Sequence, residues 1–159
     1  MKIYHSLSSE GTQAFGEALA RRLTAAGRKK GKNPCAAVLA LQGDLGAGKT
    51  TFTQGFLRGL GIKKRAQSPT FIIMRRHRVP ERNAGAATPF KNVFHVDAYR
   101  LKKAGQMRAL DFQEILSDPR NVILIEWPER IKKILPKSAT WIVFRHGKKE
   151  NERTIIIKK

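Results

Sequence analysis

A glycine-rich stretch behind an apolar run restricts the fold of this chain more than any other feature. Residues 36–41 read AAVLAL, and residues 42–51 read QGDLGAGKTT. The pattern G-x-x-x-x-G-K-T extends from Gly43 to Thr50, which is the spacing of a phosphate-binding loop between a strand and a helix. The aliphatic run predicts the strand. The following TTFTQGFLRGLGI predicts an amphipathic helix, because its apolar residues recur at helical spacing. A glycine-rich turn that binds nothing is the alternative interpretation.

The residue types of this loop suit a triphosphate and its metal ion. Gly43, Gly46 and Gly48 can adopt positive φ, so the backbone can wrap around a phosphate with its N–H groups pointing inward. A helix that begins near Gly48 adds unpaired amides and the positive end of its dipole. In such loops the lysine, here Lys49, reaches the β- and γ-phosphates, and the hydroxyl of Thr50 binds Mg²⁺. The loop therefore predicts a nucleotide-binding protein.

Two acidic residues at strand ends are candidates for a hydrolytic site, which needs a carboxylate near the metal ion and a group that orients water. Of the 12 acidic residues, Asp97 ends an apolar run in VFHVDAYR and Glu126 ends one in VILIEWPER. A buried strand can hold such a carboxylate rigidly at the carboxyl edge of the sheet. Glu126 is the better match to a Walker B strand, because four aliphatic residues precede it. An acid that caps a turn is the alternative for each, and Asp44 is expected to brace the loop backbone.

Three further residues carry weaker signals. Thr70 in SPTF is a candidate for sensing the metal ion or the γ-phosphate, and a plain strand entry explains it equally well. Trp127, directly after Glu126, is interpreted as a core residue in preference to an exposed docking aromatic. His95 is interpreted as a packed strand residue, because nothing in the sequence supplies it with metal-site partners.

Strands and helices alternate through the first half of the chain, and the last two strands form a hairpin. The predicted strands lie at 2–5, 36–41, from about Thr70, 92–100, 121–127, 140–146 and 153–157. The predicted helices lie at 12–26, from about Gly48 to Leu60, around 107–116 and near 129–134. We expect one α/β domain over residues 1–159, with helices flanking a mixed but mainly parallel sheet. Residues 80–91 are expected to form a surface loop.

The charge of the chain is strongly positive, since 32 Lys and Arg against 12 Asp and Glu give +20. Such a charge attracts polyanions at long range. The basic residues are scattered over several short runs, so a surface that approaches a polyanion such as a nucleic acid and an ordinary solvated basic surface explain them equally well.

The apolar runs are too short for a membrane-spanning helix or a secretory segment. Cys35 is the one cysteine, which excludes an internal disulfide and a multi-cysteine zinc site. We therefore expect a cytoplasmic protein with no membrane contact.

Five segments together resemble the TsaE family, the P-loop ATPase of bacterial tRNA threonylcarbamoyladenosine synthesis. The segments are SSEGTQAFGEALA at 8–20, LQGDLGAGKTTFTQGFLRGLGI at 41–62, SPTF at 68–71, FHVDAYRL at 94–101 and IEWPER at 125–130. They are spread over residues 8–130, most of the chain, and their order is far more specific than a phosphate-binding loop alone. The resemblance implies the P-loop NTPase-like fold, a three-layer sandwich.

The resemblance also implies that ATP and Mg²⁺ are the ligands of the site. Lys49, Asp97 and Glu126 would be the catalytic residues, and Thr50, Asp97 and Glu126 would lie at the metal ion. The nucleotide contacts that the family implies come from Thr12, Asp44, Leu45, Gly46, Ala47, Gly48, Lys49, Thr50, Thr51, Thr70 and Trp127.

The family's partners are the TsaD and TsaB subunits of the tRNA-modifying complex. The resemblance implies that ATP hydrolysis supports repeated cycles of the modification and does not transfer the threonylcarbamoyl group. Thr70 is expected in a switch-like loop, and Trp127 matches a position that the family needs for function. Two departures concern the partner-facing surface: a long segment between SPTF and the H-x-D motif, and the high positive charge.

Two other classes of function use the same features. A small-molecule kinase would use the same loop and metal ion, but it would also need an acceptor pocket. A basic tRNA-binding module would carry its nucleotide only as a structural element. A GTPase is disfavoured, because the sequence has no Asn-Lys-x-Asp motif for guanine.

Overall fold

The computed structural model describes residues 1–27, 35–63, 72–81 and 88–158. The strands are β1 (Lys2–Ser6), β2 (Ala37–Gln42), β3 (Met74–Arg78), β4 (Asn92–Asp97), β5 (Asn121–Glu126), β6 (Thr140–His146) and β7 (Arg153–Lys158). The α-helices are α1 (Ser9–Ala26), α2 (Lys49–Gly59) and α3 (Phe112–Ser117), and the 3₁₀ helices are Ala104–Leu110 and Pro128–Ile134.

The strands form one seven-stranded sheet in the order β1-β7-β6-β2-β5-β4-β3. The four central strands, β6, β2, β5 and β4, are parallel to one another. The outer pairings, β1 with β7, β7 with β6 and β3 with β4, are antiparallel. The predicted mixed α/β sheet is confirmed, and so is the terminal hairpin. Because β2, β4 and β5 run in the same direction, their carboxyl ends lie side by side at one edge.

Helices cover both faces of the sheet and form two separate cores. On one face, α1 and α2 pack against a cluster that contains the buried α2 residues Phe52, Phe56 and Leu57. On the other face, α3 and the 3₁₀ helices supply residues such as Met107 and Phe112 to a second cluster. Burial of this apolar surface on two faces is the main force that holds the layers together. The three-layer arrangement expected from the resemblance is therefore present.

The packing of α1 against α2 fixes the position of the helix that follows the glycine-rich loop. A Cβ atom added at Gly16 would collide with the carbonyl oxygen of Phe52, and one added at Gly55 would collide with that of Gln13. Glycine at these two positions lets the helix backbones approach each other closely. α1 starts at Ser9, earlier than predicted, because the Ser8 side chain accepts a hydrogen bond of 3.1 Å from the Gly11 amide and caps the helix.

The remaining differences from the predicted elements are local. The helical stretch predicted around 107–116 is two pieces, because Asp111 has φ +50° and so interrupts the helix. The strand predicted from Thr70 begins at Met74, and residues 64–71 lie outside the described residues. Of the predicted loop 80–91, residues 82–87 also lie outside them. Within the described part of the chain, no helix is both long and apolar enough to span a bilayer.

Candidate functional site

The loop between β2 and α2 has a backbone suited to enclosing an anion. Gly46 has φ +73° and Gly48 has φ +96°, which are conformations that residues with a Cβ rarely adopt. α2 begins directly at Lys49, and its N-cap Gly48 makes no side-chain capping hydrogen bond. No capping side chain therefore competes for the amides of the first turn, which together with the helix dipole favour a bound phosphate.

Lys49 is buried beneath this loop and is held at several points. Its Nζ donates hydrogen bonds of 2.7 Å to the carbonyl oxygens of Gly43 and Asp44. The same nitrogen lies 4.3 Å from the centroid of the Trp127 ring, a cation–π distance. Burial lowers the pKa of Lys49, and the acid that opposes this effect most is Glu126. The ammonium group of Lys49 is thus held in a fixed position against the loop, where it can meet a bound phosphate.

Thr50 and two carboxylates meet at the carboxyl ends of β4 and β5. The Thr50 hydroxyl donates to Glu126, with its Oγ1 at 2.9 Å from Oε1 and 3.2 Å from Oε2. Asp97 and Glu126 are directly paired in the parallel register of the two strands. The exposed fractions of these acids are only 3% and 4%, respectively. Asp97 Oδ1 also accepts a hydrogen bond of 2.9 Å from the amide of Tyr99.

This donor set fits Mg²⁺. In the described residues, no group of three or more His, Cys, Asp and Glu side chains could hold a metal ion. Mg²⁺ is ordinarily held by one or two carboxylates, a hydroxyl and the substrate's phosphates, so it does not need such a group. The hydroxyl of Thr50 has one hydrogen and two lone pairs. It can therefore donate to Glu126 and still offer its oxygen to a cation.

A cavity of about 290 Å³ opens between the loop and the ends of β4 and β5. Its lining residues are Leu45, Gly46, Gly48, Lys49, Thr50, Thr51, Asp97, Tyr99, Glu126 and Trp127. All of these except Tyr99 belong to the set of site residues that the sequence predicts. Residues from three distant parts of the chain are thus brought to one opening.

Three of the predicted site residues do not line this cavity. Thr12 is buried behind the loop, where its hydroxyl donates to Ser6 Oγ at 2.9 Å and its methyl group faces Gly48. The side chain of Asp44 is exposed, while its carbonyl oxygen holds Lys49. Ala47 is fully buried in the first core. Thr70 lies outside the described residues.

The environments of Trp127 and His95 differ from the interpretations favoured on sequence. Trp127 is only half-buried, because φ +58° turns its ring from the strand toward the cavity, where it stands 5.1 Å from the ring of Tyr99. Trp127 also packs against the second core cluster, so the interpretation as a core residue is confirmed only in part. His95 is a packed strand residue as predicted, but its Nε2 also lies 2.9 Å from Glu126 Oε1. Strand register, which the sequence does not reveal, brings the two together.

Sequence reasoning missed a brace on the outer side of the loop. The Arg153 guanidinium donates to the carbonyl oxygen of Gly46 at 2.9 Å, and His146 Nε2 donates to that of Leu45 at 3.2 Å. Both residues come from the hairpin of β6 and β7, about a hundred positions away in sequence. No local sequence pattern identifies Arg153 or His146 as residues that contact the loop. Tyr99, in contrast, stands in the quoted segment FHVDAYRL, where an exposed aromatic residue directly after a strand-end acid is a usable signal.

Known proteins are similar to this chain in sequence and in fold. The family model described as threonylcarbamoyl adenosine biosynthesis protein TsaE matches residues 6–155. The tRNA threonylcarbamoyladenosine biosynthesis protein TsaE of Bacillus subtilis is 38% identical over 152 residues, which are 95% of this chain and 82% of that protein. The protein of the same name from Streptomyces coelicolor is 44% identical over 93 residues, 58% of this chain and 57% of its own length.

A solved structure agrees with this assignment. The crystal structure of YdiB from Bacillus subtilis superposes with a TM-score of 0.69 at 28% sequence identity. The superposition covers 97% of this chain and 82% of that one. With the family model matching nearly the whole chain, this chain belongs to the TsaE family of threonylcarbamoyladenosine biosynthesis proteins.

Proposed function

We propose that the chain is a Mg²⁺-dependent ATPase that serves the formation of threonylcarbamoyladenosine in tRNA. Membership of the family gives the role in this biosynthesis. The observation that carries the catalytic part is one juxtaposition: Thr50 of the loop donates to Glu126, with Asp97 beside it and Lys49 at the same cavity. This is the set of groups that phosphoryl transfer to water requires.

Each residue of the site has a distinct role. Lys49 and the first-turn amides of α2 bind and orient the β- and γ-phosphates. Thr50, Asp97 and Glu126 would hold Mg²⁺, which would supply positive charge opposite the phosphates. Glu126 also orients the attacking water, because its buried carboxylate is fixed by hydrogen bonds. Trp127 shields Lys49 from solvent and limits the positions that its ammonium group can take.

A small-molecule kinase is the second candidate, because it would use the same loop and metal ion. It would also need a pocket for its acceptor, whereas the described residues that line the cavity of about 290 Å³ are those proposed for the nucleotide and the metal ion, with Tyr99.

We propose that TsaD and TsaB type subunits are the partners and that the complex works in the cytoplasm, where tRNA is modified. The rim of the cavity supports regulation by a partner. Leu45 is 84% exposed and Tyr99 is 49% exposed, and both lie beside the nucleotide loop. A partner that covers these residues would exclude bulk solvent, strengthen the electrostatic interactions inside the site and so raise its turnover. The charge of +20 supports proximity to tRNA.

Phosphate release from ATP by the purified chain tests the ATPase function. We expect slow release in the absence of any acceptor, loss of release with excess EDTA, and acceleration by the TsaD and TsaB type subunits. In Lys49→Ala, release should fall by about 10²-fold or more, because a preorganised charge on the phosphates is lost. Wild-type turnover by Lys49→Ala would refute the proposed role of the loop. Phosphate transfer to an added small molecule, with none released to water, would establish the kinase.

A further inference from the structure

His95 occupies a place in the site that packing alone does not explain. It lies on β4 two residues before Asp97, with its side chain on the same face of the sheet as that acid. In the parallel register its Cα is opposite Leu124, so its ring reaches diagonally to Glu126 on β5. The ring is fully buried, and its Nε2 lies 2.9 Å from Glu126 Oε1.

The surroundings of the ring select one tautomer. Nδ1 is buried and has no hydrogen-bond partner among the described residues. A proton on Nδ1 would therefore be a buried donor without an acceptor, which is costly. A proton on Nε2 is paired with the carboxylate. A ring that carries its proton on Nε2 and donates it to Glu126 is the form that the structure favours.

Two donors converge on the same carboxylate oxygen. Thr50 Oγ1 and His95 Nε2 each lie 2.9 Å from Glu126 Oε1. A glutamate side chain has three rotatable bonds, and fixing one oxygen from two directions removes most of that freedom. The first donor sits on α2 and the second on β4, so the orientation of the carboxylate is tied to two separate elements of the fold.

We propose that His95 is a positioning residue for the nucleotide site: its Nε2–H holds Glu126 in the orientation that acts on the attacking water. This role rests on the proposed ATPase function. His95 touches neither nucleotide nor water itself; it acts through Glu126. Its loss is therefore expected to lower kcat and leave ATP binding nearly unchanged.

Substitutions at His95 separate positioning from packing. His95→Leu keeps an apolar filling but removes the donor, and kcat should fall about 10- to 100-fold while the Kd for ATP stays within about twofold. His95→Gln places an amide N–H near the position of Nε2, and kcat should return to within about fivefold of wild type. His95→Asn, whose amide is one methylene shorter, should not recover this kcat.

His77→Leu is the matched control, because His77 is a buried strand histidine on β3 that does not line the cavity. It should lower the melting temperature without lowering kcat.

The comparison of the glutamine and asparagine variants shows whether His95 positions Glu126, even if the leucine variant does not fold. Equal kcat values for these two variants, or an unchanged kcat in His95→Leu, would overturn the proposal. A second measurement uses the unmodified protein. In ¹⁵N-histidine NMR spectra, the His95 ring should show a proton on Nε2. A ring with no proton on Nε2 would overturn the proposal as well.

The two experiments distinguish failure of this inference from failure of the proposed function. Absence of ATP hydrolysis in wild type would remove the ATPase function, whereas the NMR spectrum would still report the bond to Glu126. Normal hydrolysis with equal activity of all His95 variants would leave the ATPase function in place and remove the positioning role.

Discussion

Two glutamates in different regions of this molecule interact with basic side chains, one in a buried environment and one at the solvent-exposed surface. Glu126, at the carboxyl edge of the sheet, is 4% exposed and shares a buried cluster with Lys49, Thr50 and His95. Glu17, on the outer side of α1, accepts a hydrogen bond of 2.8 Å from Arg58, whose side chain is 55% exposed. Water screens the second pair and hardly reaches the first. The buried groups therefore depend on one another, while the surface groups can be changed almost independently.

The largest effect should follow Glu126→Gln. The substitution keeps the size of the side chain but removes the charge that faces Lys49 and accepts from two donors. We expect kcat for ATP hydrolysis to fall by about 10²-fold or more. The free energy of unfolding should also fall, by about 1–3 kcal/mol, because the buried donors lose their charged acceptor. Phosphate-release assays and denaturant titrations measure the two effects. Turnover within twofold of wild type would shift the essential carboxylate to Asp97.

An intermediate effect is expected for Arg153→Ala, since Arg153 is partly buried and holds the loop from the hairpin. Its guanidinium donates to the carbonyl oxygens of Gly46, Glu150 and Glu152 at 2.9, 2.6 and 2.7 Å. Loss of this brace should weaken ATP binding by about 3- to 10-fold, the effect of one charge-assisted hydrogen bond partly screened by water.

Calorimetric titration with ATP measures the effect of the Arg153 substitution. Arg145→Ala is the matched control, because it removes the same charge from an exposed position of β6. Equal weakening by both variants would point to general electrostatic attraction of the nucleotide, and the loop would then not depend on the brace.

The smallest effect is expected for Glu17→Gln, the same chemical change as at Glu126. The hydrogen bond from Arg58 lowers the pKa of Glu17; burial opposes it, and Arg21 adds to it. A lowered pKa contributes stability that is present above the unfolded pKa of about 4.3 and is lost as the pH falls through the folded pKa. Glu17→Gln should therefore cost about 0.2–1 kcal/mol at pH 7 and nothing measurable at pH 2.

Denaturant titrations at the two pH values, with and without 1 M NaCl, measure this contribution. Salt should remove most of it at pH 7. The comparison would fail if the loss of unfolding free energy at pH 7 were as large as that of Glu126→Gln, or if salt left it unchanged. Burial would then not determine how much each glutamate contributes to stability.

The sequence identifies the groups of the site but leaves open how they meet. The spacing from Gly43 to Thr50 and the apolar runs that end at Asp97 and Glu126 locate the loop and both acids, because these signals are local in sequence. The contact of His95 with Glu126 depends on β4 and β5 being neighbours in one register. Local pattern contains no such information.

The order of the strands limits prediction in the same way elsewhere. β6 lies beside β2, so the hairpin of β6 and β7 reaches the nucleotide loop and supplies Arg153 and His146. Nothing near these residues in sequence distinguishes them from the many other basic residues of the chain. The break at Asp111 was missed for a different reason: the apolar spacing on both sides is helical, and one residue in the left-handed conformation interrupts it.

Because the ring of Trp127 lies beside Lys49, its fluorescence can report whether the site is occupied. The chain has only two tryptophans, and the other, Trp141, lies on β6. In a Trp141→Phe variant, all indole emission would come from a ring 4.3 Å from the ammonium group that meets the phosphates. Binding, hydrolysis and release could then be followed in real time by intrinsic fluorescence, with unlabelled ATP and with the partner subunits present.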